Sequence, residues 1–322
     1  VLSNSALAEE LYSVFRSKVP EAVAAAEELA DGIHQQSGIS QSLTNTRLTA
    51  AVLRRSGTTS NCDTAAWRAG EISNAQYLAA INTLAGRTFN DLTQFPVFPW
   101  VLADYTSATL DLNDEKTFRD LSLPMGAQTP CRREEFVERY NQLQEVGIDP
   151  FHYGTHYSTA SSVCGFLVRM LPYSDVLVEL QGGSFDLADR TFSSIGRTWY
   201  SASALSRGDV RELIPEFFSL PEMFENPNHF DFGTTQSGAR IDCVELPPWA
   251  HDDPVLFVHR HREALESDYV SAHLHEWIDL IFGFKGHGAE AVRNTNVFHP
   301  LSYADSIDLE SIESPLEREA AA

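Results

Sequence analysis

The sequence predicts a mainly α protein with long non-regular connections and few strands. Three observations carry this. Apolar residues recur at helical spacing in segment after segment. Strand signals are few, Asp175 to Leu180 being the best, and no βαβ alternation appears. A very apolar stretch, Phe95 to Leu102, carries Pro96 and Pro99, which bar it from helix interiors and from central strands.

The elements follow in order. Leu7, Leu11, Val14 and Phe15 fall at i, i+4, i+7 and i+8, so residues 6–31 read as amphipathic helix, divided in two by Pro20. Residues 35–60 are rich in Ser, Thr, Gln and Asn and read as a linker, with a boundary near Leu43 to Thr46. Ser73 and Gln76 form a capping-box pattern. Leu78, Ile81 and Ala85 continue a helix that Gly86 stops. Phe95 to Leu102 is then expected to be extended, irregular and buried. Its backbone needs hydrogen-bond partners, for which Asn82, Arg87, Asn90, Asp91 and Asp104 are the candidates. Arg132 to Val146 reads as helix, with Phe136, Tyr140 and Leu143 on one face, an i,i+4 pair Glu135–Arg139, and Gly147 as its stop. Ser158 to Leu171, Ala188 to Ser201 and Asp268 to Phe282 complete the expected helices. The last carries Val270, Leu274, Trp277, Ile278 and Ile281 as a continuous stripe closed by Gly283.

Composition excludes several function classes. The 45 Asp and Glu outweigh the 23 Lys and Arg, leaving a net charge of −22. Nucleic acid and unaided docking on an anionic bilayer both require a basic footprint and are excluded as partners. No apolar run approaches the roughly 20 residues of a membrane span, and no signal segment opens the chain. Val1 in place of an initiator Met predicts a chain cut from something longer. The four cysteines lack C-x-x-C spacing and form no disulfide framework, so reduced, cytosolic thiols are expected.

Sites of chemistry are sparse. His152 and His156 have zinc-ligand spacing, yet Tyr153, Gly154 and Thr155 between them supply no general base. His259/His261 and His273/His275 are spaced i,i+2, on different helix faces, with no third ligand to nominate. The sequence holds no G-x-S-x-G pentad and no phosphate-cradling glycine pattern; Gln181 to Ser184 reads as a turn. Asp186/Asp189 and Asp231/Asp242 are carboxylate pairs of a kind expected by chance among so many acids, and Asp189 with Arg190 reads as a structural ion pair. No catalytic residue, metal or cofactor is expected.

One pattern is specific. Trp67 to Asn74, Asn82 to Leu92 and Phe95 to Leu102 together resemble the opening of a BEACH domain, as in neurobeachin and the Beige/Chediak–Higashi type. The resemblance continues in order through Phe118 to Gly126, Phe151 to Ser158, Leu180 to Arg190, Asp209 to Phe218, Leu246 to Ala250 and Ala264 to Gly283. Asn296 to Tyr303 is most similar to the branch containing the factor associated with neutral sphingomyelinase activation.

The resemblance implies a BEACH-like fold, with helices around a core of extended, partly non-regular segments. It divides the chain into N-terminal helices and linker (1–46, with no complete PH-like domain), a BEACH domain (47–303) and an acidic C-terminal tail (304–322). It implies a non-catalytic protein-interaction scaffold module of a large cytosolic protein in vesicle trafficking, membrane dynamics or receptor signalling. Its partners would be proteins, including a PH-like domain and WD40 repeats of the full-length chain, with peripheral membrane association through other domains. The family's BEACH opening lies near its PH-like neighbour, so Trp67, Arg68 and Glu71 are the interaction candidates. The rival class is a hydrolase or lipid-active enzyme using the His and carboxylate clusters. A concave pocket with converging titratable groups separates that class from a scaffold surface.

Overall fold

The computed structural model describes residues 60–303. The expected helices of residues 6–31, nearly all of the linker, the boundary at 46/47 and the acidic tail lie outside the described residues. Two compact units divide the chain, one of Val1–Ile72 with Ala80–Gly86, the other of Ser73–Ala79 with Arg87–Ala322.

In the first unit, α1 (Ser60–Arg68) ends in a Schellman motif. The Glu71 amide reaches back to the Ala66 carbonyl at 2.8 Å and the Gly70 amide to Trp67 at 3.0 Å. Gly70 takes φ +73°, a left-handed conformation that favours glycine. Helix α2 (Asn74–Leu84) is shared, its end counted with the first unit and its start with the second, and it opens on the expected capping box. The Ser73 amide donates to Gln76 Oε1 at 2.9 Å and the Gln76 amide to Ser73 Oγ at 3.2 Å. The α2 stop is also as read, at Gly86 with φ +79°.

The second unit holds α3 (Pro130–Glu145), α4 (Ala160–Phe166), α5 (Tyr173–Leu180), α6 (Ile195–Tyr200), α7 (Pro254–Leu265), α8 (Asp268–Ile281) and α9 (Gly288–Arg293). Among the described residues there is no sheet. Extended segments meet only at isolated bridges, such as Phe98 with Leu213 and Leu102 with Phe118. The fold is mainly α. Phe95, Val97, Phe98, Trp100, Val101 and Leu102 are all buried, so the proline-bearing segment is the extended core strip its composition demands. The Trp100 ring packs against Tyr105, Trp199 and Phe217 at 5.5–6.1 Å between centroids. Helix α8 buries Val270, Leu274 and Trp277, as its stripe predicts.

Several expectations are corrected. Asp175 to Leu180 is the helix α5, because Tyr173, Val176 and Leu177 recur at i, i+3 and i+4 and pack on a buried cluster of Cys164, Val168 and Phe232. The helix expected over Ala188 to Ser201 is interrupted. A single 3-10 turn, Ala188–Arg190, precedes an extended stretch, and α6 starts only at its cap, Ser194. Tertiary partners claim the intervening backbone. Arg169 takes the Phe192 carbonyl at 2.7 Å, and Glu245 exchanges bonds with Ser193 and Ile195. The helix expected over Ser158 to Leu171 shortens to α4 for want of continued intrahelical bonds past Leu167. The Glu135–Arg139 pair does not form: Glu135 takes Arg207 at 2.8 Å, and Arg139 lies over the Phe151 ring.

Candidate interaction surface

The polar groups of the second unit are spent on its irregular backbone. Glu212 and Arg119 form a bidentate ion pair at 2.7 and 2.9 Å, with side chains only 2% and 0% exposed. The remaining lone pairs of Glu212 accept from the Trp100 amide at 3.2 Å and from Trp277 Nε1 at 3.1 Å. Arg119 in turn donates to the carbonyls of Trp100 and Leu123. One ion pair thus ties the proline-bearing strip to α8.

Three further arginines act on carbonyls. Arg132 reaches Ser206 at 2.7 Å and Asp209 at 2.6 Å. Arg169 holds Asp242 at 2.6 and 2.8 Å besides Phe192. Arg87 binds the Phe95 carbonyl at 2.8 Å, so one of the nominated donors serves the strip. Asp91 and Asp104 instead close their own turns, on Thr93 and on Thr106 and Ser107. The planar guanidinium suits this work because it presents five donors in a fixed fork.

Three of the histidines, His152, His156 and His261, are packed and hydrogen-bonded. His152 stacks on Tyr140, accepts the Val297 amide at 3.1 Å, and burial lowers its pKa to about 4. His156 bonds Ser158 through Nδ1 at 2.8 Å, and burial likewise holds it near pKa about 4. Both lie in a loop rather than on a helix, so the i,i+4 face implied by their spacing is not built. His261 stacks on Phe218 at 4.4 Å between centroids, and burial lowers it to about 4. The carboxylate pairs are also divided. Arg190 joins Asp186 at 3.2 Å rather than Asp189, which accepts the Gln236 amide. Asp231 faces Arg240, and Asp242 accepts from Asn226.

A cleft of about 250 Å³ in this unit is lined by His156, Asp186, Arg190, Asp209 and Arg211 among others. Its charges close on each other. Arg211 grips Asp209 at 2.7 and 2.9 Å, and burial opposes but does not cancel the lowering of the Asp209 pKa by that pairing.

The interaction candidates lie in the first unit. Trp67 is half-buried on the last turn of α1, and Arg68 and Glu71 are exposed. The Schellman motif fixes the Glu71 backbone, so its carboxylate is displayed from a rigid turn. Sequence reasoning missed Arg119 and Glu212. Both lie inside quoted motifs, and the signal available was charge, Arg211, Glu212 and Glu216, set among the apolar residues of Val210 to Phe218.

These features define a helical domain, without a sheet among the described residues, whose irregular core is ionically braced. The profile of the Beige/BEACH domain matches residues 65–322, and the chain belongs to that family. It is 52% identical over 328 residues to Beige protein homolog 1 of Schizosaccharomyces pombe, covering 100% of this chain and 12% of that protein. It is 58% identical over 257 residues to Beige protein homolog 1 of Saccharomyces cerevisiae, covering 79% of this chain and 12% of that protein. WD repeat- and FYVE domain-containing protein 4 of Homo sapiens is 54% identical over 253 residues, covering 78% of this chain and 8% of that protein. The chain therefore spans about a tenth of the length of the curated relatives it matches.

Proposed function

We propose that this chain is a non-catalytic protein-interaction module of a large scaffold, working in the cytoplasm at peripherally held membranes, in vesicle trafficking or receptor signalling. The observation that carries this reading is the use made of its polar side chains. Glu212, Arg87, Arg119, Arg132 and Arg169 all serve irregular backbone, and the titratable groups of the one cleft described above are closed into pairs. The names of relatives record WD repeats and a FYVE domain in those proteins. A module working beside such domains, and beside a PH-like neighbour, would take proteins as partners. Trp67, Arg68 and Glu71 form the surface assigned to that contact.

The test is affinity capture by the 322-residue chain, wild type against the double charge reversal Arg68→Glu with Glu71→Arg, with thermal melting in parallel. Loss of specific capture at unchanged stability supports the surface. Unchanged capture, or unfolding of the variant, places the contact elsewhere. Turnover of an ester or phospholipid by the wild-type chain, abolished in His156→Ala, would overturn the non-catalytic reading.

A further inference from the structure

The cleft of about 250 Å³ beside α4 and α5 gathers uncommitted polar groups next to apolar ones. Its apolar lining is Phe185, Phe192, Val168 and Leu177, of which only Phe185 is half-buried and the rest belong to the core. Its polar lining includes Thr155, Ser161 and Thr191, whose hydroxyls make no hydrogen bond among the described residues. Arg211 spends Nε and Nη2 on Asp209, which leaves Nη1 with no partner there. His156 adds an acceptor. The Ser158 carbonyl lies 2.8 Å from Nδ1, nearer than the Ser158 amide at 3.2 Å, and takes the ring proton on that side. Burial keeps the ring neutral, so Nε2 carries a bare lone pair.

Charge selects the ligand next. Both cations of the cleft are matched, Arg211 by Asp209 at 2.7 Å and Arg190 by Asp186 at 3.2 Å. A charged ligand would meet a like charge in each pair, whereas a neutral one can bond both members without breaking either. A peptide has no foothold of the usual kinds. The described residues offer no sheet edge for an added strand, and the engaged arginines leave no cluster for an acidic motif. The volume also lies just below the roughly 300–1,000 Å³ of drug-sized pockets, which suits one compact ring.

We propose that this cleft binds, without transforming it, a neutral ring polyol, that is a sugar or a cyclitol. Each ring hydroxyl is donor and acceptor at once, so one ligand satisfies the bare His156 Nε2, the Arg211 Nη1 donors and the hydroxyls of Thr155, Ser161 and Thr191 together. The C–H face of the ring has Phe185 and Phe192 to pack against. The assignment goes beyond the reading of the chain as a protein-interaction module, since it gives the second unit a small-molecule ligand distant in sequence from Trp67, Arg68 and Glu71.

The test is an NMR titration of the 322-residue chain with two probes. One is myo-inositol, a free cyclitol; the other is methyl β-D-glucopyranoside, a ring held through a glycosidic bond as on a protein or lipid. Inorganic phosphate and acetylated, amidated triserine are the anionic and peptide controls. At least one polyol should bind saturably, and the tighter of the two identifies the source. Its amide shifts should centre on Thr155, Gly165, Thr191 and Gly208. Its affinity should hold at about 1 M salt, where the screening length falls to about 3 Å. Thr191→Val with Ser161→Ala should weaken it about tenfold, the worth of two hydrogen bonds, at an unchanged melting temperature. Absence of saturable polyol binding overturns the proposal, as do shifts centred elsewhere, tighter binding of phosphate or triserine, or full affinity in the variant. The shift map of the wild type decides the matter even if the variant folds poorly. Failure here leaves capture through the Arg68/Glu71 surface untouched, so the module reading stands or falls on its own experiment.

Discussion

Replacing Glu212 by Gln should destabilise the domain severely with almost no change of shape. The carboxylate accepts from four donors: Arg119 Nη1 and Nη2, the Trp100 amide and Trp277 Nε1. An amide keeps one acceptor oxygen and turns the other into a donor. That donor then faces either Arg119 and Trp100, or Arg119 and Trp277. The guanidinium also loses its counter-charge at a site from which solvent is excluded. Breaking a buried ion pair from one side costs about 3–5 kcal/mol, against a total stability of about 5–15 kcal/mol for a typical domain. At about 2–4 °C per kcal/mol for a domain of this size, melting should fall by roughly 6–20 °C. Denaturant titration and thermal melting of Glu212→Gln, Arg119→Met and the double variant give the answer. The double variant should cost less than the sum of the singles, because it leaves no unpaired charge. A Glu212→Gln variant within about 0.5 kcal/mol of wild type, the range of ordinary surface changes, or strict additivity in the cycle, would refute the reasoning.

Three further outcomes follow from the same geometry. Trp100→Ala should cost about 3–5 kcal/mol in denaturant titration, since it empties the centre of the aromatic core; an unchanged melting temperature would contradict the burial. Gly126→Ala drives a Cβ into the Tyr153 ring and should cost about 1–3 kcal/mol by overpacking; full stability would mean that the ring moves freely. Burial raises Glu216 to about 7 from an ordinary 4.5, and its Oε2 has no partner among the described residues. The native state therefore keeps a proton that the unfolded chain has lost. This contribution is fully present below about pH 4.5 and is lost as pH rises through about 7. Glu216→Gln should match wild type near pH 4.5 and exceed it by about 3 kcal/mol at pH 8, from 1.36 kcal/mol per pKa unit; an equal difference at both pH values would contradict it.

Local signals in the sequence were readable where local forces decide the structure. The Ser73/Gln76 box, the α8 stripe and the glycine stops at Gly86 and Gly147 all involve residues within a few positions of each other, and each is formed as read. The burial of Phe95 to Leu102 was legible from composition and proline content alone. Arg119 and Glu212 were not, because they are 93 residues apart and only tertiary structure joins them. The interruption before α6 has the same origin. Arg169 and Glu245 reach Phe192 and Ser193 from distant segments and outcompete a helix that propensity favours. Where α5 was read as a strand, the error was one of period, since valines at 176 and 178 imitate alternation while Tyr173, Val176 and Leu177 form the stripe that packs. Of the interaction surface, the motif around Trp67 was visible in sequence.

The central claim is that buried ionic side chains hold an irregular core as firmly as regular secondary structure would. Native-state hydrogen exchange at the amides of Phe98, Trp100 and Leu213 tests it most directly. None belongs to a helix or sheet, yet Phe98 and Leu213 exchange bonds at 2.9 Å and Trp100 donates to buried Glu212. All three should exchange only through global unfolding, with protection equal to that of the Trp277 amide in α8. Exchange of the Trp100 amide at the rate of an exposed loop, with α8 still protected, would contradict the account.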